Sequence, residues 1–169
     1  QIARAGVTVT QVVTASGSGQ THSGLLTGLR LAGSTLPVTG VCVRRDAVQQ
    51  QARITQICAN LGKLIGRPDL VEPGDIVVTD RFLDPGYGKN SPETWAAFLA
   101  AARQEGLLLD PVYTSKSFAG ALAMADDRDA MAGGAVLYLH TGGLPALFAY
   151  EAAIDQALAA AGPQPQPGQ

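Results

Sequence analysis

The segment Val12-Val13-Thr14-Ala15-Ser16-Gly17-Ser18-Gly19-Gln20-Thr21-His22-Ser23-Gly24-Leu25 constrains the fold of this chain more than any other. Its apolar, β-branched start reads as a buried strand, its Gly/Ser-rich middle as a tight turn, and its end as the beginning of a helix. Such a turn leaves several backbone N–H groups unpaired at the positive end of a helix dipole, an arrangement that suits a phosphate. Gly17 and Gly19 let the backbone approach an anion closely, and Ser16, Ser18 and Thr21 can add hydroxyl donors. Neither of two familiar nucleotide loops fits. Position 22, where a dinucleotide fingerprint carries its third glycine, is His22, and no lysine follows the turn. A tight strand-to-helix turn that holds no ligand is the competing reading.

The length of 169 residues is one domain's worth of chain. Charged residues are only 15% against 46% hydrophobic, whereas soluble domains average about 25% charged. So much apolar surface suits a parallel sheet covered on both faces. A net charge of −2 without a basic block argues against nucleic acid or an anionic membrane as partner. Cys42 and Cys58 are too few for a disulfide framework and lack metal-ligand spacing, so they read as inert core thiols, no metal is expected, and the expected compartment is the cytoplasm. No signal peptide or membrane-length apolar run is visible. The first residue is Gln1 rather than Met, which is compatible with a processed or cut polypeptide.

Short apolar runs alternate with amphipathic stretches. Strands are expected at Thr10–Ala15, Val38–Val43, Ile76–Thr79 and Ala135–His140. Helices are expected at Thr21–Leu31, from an Asp46 cap to about Ile65, from a Ser91 cap with Pro92 at the first position to Gln104, at Ser115–Met124, and at Leu147–Ala160. Residues 1–160 would form the domain, and 161–169, rich in Pro and Gln, a disordered tail. The alternation predicts a three-layer α/β fold with a mostly parallel sheet and ligand chemistry at the carboxyl ends of its strands. Three loops stand at such ends: 16–21, 84–88 and 140–143.

Four segments in order carry a further signal: Ala15-Ser16-Gly17-Ser18-Gly19-Gln20-Thr21-His22, Asp84-Pro85-Gly86-Tyr87-Gly88, Asp110-Pro111-Val112-Tyr113-Thr114-Ser115-Lys116, and the stretch from His140-Thr141-Gly142-Gly143 to Tyr150. Together they resemble the C-terminal half of the D-cysteine desulfhydrase family. These are pyridoxal-phosphate enzymes of the tryptophan-synthase-β-like fold, related to 1-aminocyclopropane-1-carboxylate deaminase and cysteate sulfo-lyase. The resemblance implies that Ser16, Gly17, Ser18, Gly19, Gln20 and Thr21 cradle the cofactor phosphate. It implies that Tyr87 and Tyr113 flank the substrate end of the ring, stacking or moving a proton, and that Thr141, with Gly142 beside it, offers its hydroxyl to the pyridine nitrogen. Thr114 lies close by in the same scheme. The deaminase branch carries Glu where this chain has Thr114, which favours the desulfhydrase-like branch.

The implied reaction is α,β-elimination of a small amino acid, most simply D-cysteine, to pyruvate, ammonia and sulfide. Deaminase-like or cysteate-lyase-like chemistry, and a non-catalytic module binding a phosphorylated ligand, are the alternatives. Two departures stand out. Gln20 occupies a position that is Gly or small in the family. The family's Schiff-base lysine lies in an N-terminal half that this chain lacks, and Lys63, Lys89 and Lys116 do not match it. The expectation is therefore half an enzyme, inactive alone, with an N-terminal half as partner and a homodimer as the complete form. Outside the resemblance, the residues have plainer readings: His22 and His140 as structural, Trp95 and Tyr138 as packing, Asp84 and Asp110 as turn formers.

Overall fold

In the computed structural model, residues 2–127 and 133–162 are described. The elements run α1 (Ile2–Ala5), β1 (Val9–Ser16), α2 (Gln20–Leu31), β2 (Val38–Cys42), α3 (Ala47–Leu64), β3 (Ile76–Thr79), α4 (Pro92–Glu105), α5 (Thr114–Asp126), β4 (Ala135–Leu139) and α6 (Glu151–Ala161). The four strands form one parallel sheet in the order β3-β2-β1-β4. Strand order therefore reverses at β1, with chain crossing to β2 on one side and returning to β4 on the other, and the turn after β1 opens at that switch point.

Adjacent residues of β1 point to opposite faces and seed two cores. Val12 packs with Leu26, Val38, Ile54, Cys58 and Ile76 under α2 and α3. Val13 packs with Val41, Phe82, Ala97, Ala119 and Ala121 under α4 and α5. This is the predicted three-layer arrangement, and each fully buried Val, Leu or Ile contributes about 1.5–3 kcal/mol to holding it. Asp46 caps α3 by accepting from the Gln49 N–H at 2.8 Å, and Ser91 caps α4 by accepting from the Thr94 N–H at 3.2 Å. Gly106 ends α4 in the left-handed region.

The expected elements are present with ends shifted by one or two residues, apart from two differences. A single turn, α1, precedes β1. The expected helix 147–160 is split: 144–149 form a 3₁₀ turn, and α6 begins only at Glu151. Tyr150 sits at the break, and its hydroxyl donates to the Gly88 carbonyl at 2.9 Å, tying this junction to another loop. Most of the Pro/Gln-rich tail, 163–169, lies outside the described residues. Among the described residues no helix is long and apolar enough to cross a membrane.

Candidate active site

A cleft of about 280 Å³ lies beyond the carboxyl ends of β1 and β4. Ala15, Gly17, Ser18, Gly19 and Thr21 form one wall, Thr141, Gly142 and Gly143 another, and Tyr113 stands between them. Two larger hollows, about 460 and 510 Å³, lie against α4 and are lined largely by alanine.

The first wall is a donor surface. Gly19 precedes α2 with φ 91°, a left-handed conformation that glycine adopts without strain. The N–H groups of Gly19, Gln20, Thr21 and His22 precede the first intrahelical bond, which runs from the Ser23 N–H to the Gly19 carbonyl at 2.9 Å. The Gln20 N–H reaches Ser18 Oγ at 3.4 Å. Gln20 itself is the first residue of α2, so its Cβ sits on helical backbone; its exposed side chain is not part of the cleft lining. Ser16 is also outside the lining: its buried hydroxyl accepts from Gln50 Nε2 at 2.8 Å and lies 3.2 Å from His22 Nδ1. His22 is fully buried in a space left by Gly40, where any Cβ would collide with the ring. Burial lowers its pKa from 6.5 to about 4, so the ring is neutral at neutral pH.

Tyr87 is exposed and outside the lining. Its hydroxyl is 2.5 Å from that of Tyr113, which does line the cleft, and the two rings stand edge to face with centroids 5.9 Å apart. The Arg44 guanidinium stands 5.9 Å from the Tyr87 ring centroid. The hydrogen bond to Tyr87, reinforced by burial, pushes the Tyr113 pKa up to about 12. Tyr113 therefore keeps its proton at neutral pH.

Asp110 sets this tyrosine in place. Its buried carboxylate accepts from the N–H groups of Val112 and Tyr113 at 2.8 Å each, from the Thr114 N–H at 2.9 Å and from the Thr114 hydroxyl at 2.6 Å. Thr114 thus spends its hydroxyl on Asp110 and does not line the cleft. The turn-former reading of Asp110 understated it. Gly143 lies flush against the same carboxylate, since a Cβ there would fall 2.5 Å from Asp110 Oδ2. His140 braces the second wall: Nε2 donates to the Leu108 carbonyl at 2.9 Å while Nδ1 accepts from the Gly142 N–H at 3.1 Å.

Lys116 is fully buried, and Nζ donates to the carbonyls of Phe82, Leu83 and Asp84 at 3.1, 2.5 and 3.3 Å. Desolvation lowers its pKa. It holds the stem of the loop that carries Tyr87. Lys116→Met leaves those carbonyls without their donor and is expected to cost about 1–3 kcal/mol. Amide exchange should accelerate across 82–88. Unchanged exchange there would show that Lys116 does not secure the loop. Sequence reasoning placed this lysine in a motif and set it aside as a candidate for the Schiff-base residue, without foreseeing its burial; a buried lysine leaves no trace in periodicity.

The model of the family "pyridoxal-phosphate dependent enzyme" matches residues 1–142. This chain belongs to that family. It is 42% identical over 144 residues to a D-cysteine desulfhydrase of Yersinia enterocolitica, covering 85% of this chain and 43% of that protein. A D-cysteine desulfhydrase of Yersinia pestis is 41% identical over the same span. A crystal structure of an ACC deaminase homologue superimposes with a TM-score of 0.76 at 29% identity, covering 89% of this chain and 44% of the other. The chain spans less than half the length of these relatives. The cleft has a lining that suits this family's cofactor: a glycine-rich turn before a helix, where a phosphate can sit, with Tyr113 and Thr141 lining the same hollow.

Proposed function

We propose that this chain is the cofactor-cradling part of a pyridoxal-phosphate-dependent lyase that eliminates the β-substituent of a small amino acid, D-cysteine by preference. The observation that carries this reading is the cleft itself, with unpaired amides at one end and a protonated tyrosine at the other. In it, the amides of Gly19 and Thr21 and the hydroxyls of Ser18 and Thr21 hold the phosphate, Thr141 faces the pyridine nitrogen with a neutral hydroxyl, and Tyr113 donates a proton on the substrate side. Pyridoxal phosphate supplies the electron sink for cleaving bonds at the α and β carbons. Tyr87 and Arg44 orient Tyr113, and water completes the conversion to pyruvate, ammonia and sulfide. Ser16, Gln20 and Thr114 act through the backbone or through neighbours rather than by side-chain contact with the ring.

Lys63 is exposed in the last turn of α3, Lys89 is exposed beside the Tyr87 loop, and the Lys116 amine is spent on carbonyls. The lysine that joins the cofactor is therefore assigned to a further part of the protein, the half that the longer relatives possess. The names of the relatives and the threonine at position 114 favour the desulfhydrase branch over the deaminase branch.

Titration of the purified chain tests the cradle. Pyridoxal 5′-phosphate should bind at least about tenfold tighter than pyridoxal and be displaced by inorganic phosphate; equal affinities would sink the reading. In the complemented enzyme, Tyr113→Phe should lower kcat for sulfide release from D-cysteine about 100-fold. Cofactor affinity should stay within about twofold, because Tyr113 makes no phosphate contact in this scheme.

A further inference from the structure

We infer that Arg45, Gln50 and Arg53 are positioning residues that aim the anion-binding amides by seizing the carbonyls on the other side of the turn. The inference rests on the phosphate reading of residues 17–21. Arg45 Nη1 donates to the Gly17 carbonyl at 2.9 Å, Gln50 Nε2 donates to the same carbonyl at 3.3 Å, and Arg53 Nε donates to the Ser18 carbonyl at 2.5 Å. None of the three lines the cleft.

A trans peptide fixes its C=O and N–H antiparallel. Holding the Gly17 carbonyl toward Arg45 and Gln50 therefore turns the Ser18 N–H the opposite way, and holding the Ser18 carbonyl toward Arg53 does the same for the Gly19 N–H. Both amides then face away from α3, on the side where the cleft lies. The clamp also matters for electrostatics. A glycine-rich turn can flip a peptide plane at little steric cost, and a flipped plane would present a carbonyl oxygen to the anion in place of an amide. Two guanidinium groups and one amide on the outer side suppress that flip and draw negative partial charge away from the site.

Gln50 is fully buried and neutral, and also donates to Ser16 Oγ at 2.8 Å, so it ties the end of β1 to the turn. Arg53 is exposed, so its replacement does not disturb a core.

The test is an amide NMR titration with inorganic phosphate, which cannot react with surface lysines as the aldehyde cofactor does. It uses wild type, Gln50→Leu and Arg53→Met, at about 50 and about 500 mM sodium chloride, because salt screens direct charge attraction. In wild type, the Ser18, Gly19 and Thr21 amides should shift. Each variant should weaken phosphate roughly five- to tenfold, with Arg53→Met unchanged in melting and its ratio to wild type the same at both salts. Variants within about twofold of a binding wild type would overturn the inference alone. A ratio for Arg53→Met that collapses toward one at high salt would make Arg53 a direct charge on the anion, and overturn its positioning role. Silent amides in wild type would overturn the phosphate reading and this inference together.

Discussion

Replacing Asp110 by alanine should cost about 3–5 kcal/mol of stability, read as a lowered urea midpoint at unchanged m. The carboxylate is buried and takes three backbone N–H groups and one hydroxyl. The alanine variant leaves those donors facing a cavity, and Val112 and Thr114 are buried away from water. Asp110→Asn keeps the shape but puts an NH₂ where an acceptor is needed, so it should recover only part of the loss. Because the same carboxylate sets Tyr113, both variants should also disturb the Tyr87–Tyr113 hydrogen bond. A loss below about 1 kcal/mol for Asp110→Ala would mean that backbone packing alone holds this turn.

The second large effect is acid sensitivity from His22. Its pKa is 6.5 when free and about 4 in the fold, lowered chiefly by burial. Between those values the unfolded chain binds a proton that the folded chain refuses, so folding is progressively penalised as pH falls. The stabilisation is complete above about pH 6.5 and lost toward pH 4, about 3 kcal/mol in all at 1.36 kcal/mol per pKa unit. His22→Asn, which can still reach Ser16, should remove that slope. The check is the difference between wild-type and variant unfolding free energies from pH 7 to pH 4.5. A flat difference would show that the ring is accessible to protons in the folded chain.

Much of the architecture was readable because its determinants are local. Asp46 and Ser91 announce their helices as capping residues, and the β-branched runs around Val12 and Val38 announce strands. The Gly19 turn was legible for the same reason; Tyr87 and Tyr113 were singled out only through the motifs that carry them, and their mutual hydrogen bond was not foreseen. What escaped is what depends on tertiary partners. Arg45, Gln50 and Arg53 look like ordinary polar residues at the start of a helix until the fold sets them beside the carbonyls of 17 and 18. Tyr150 was quoted only as the end of a motif, although its hydroxyl binds a loop 62 residues away. The side chains of Ser16 and Thr114 point to neighbours instead of the cleft, because each has a buried polar partner, Gln50 or Asp110, whose needs outweigh a contact across open space.

The bracing between the 108–114 and 140–143 segments has a mechanical consequence. Asp110 locks the first, Gly143 lies against that lock, and His140 reaches back to Leu108. The two segments, which bring Tyr113 and Thr141 to the cleft, are therefore tied into one stiff bracket. A ligand in the cleft would meet that bracket and the 17–21 turn as walls whose places were set when the chain folded. The entropy of ordering those walls is charged to folding and not to each binding event.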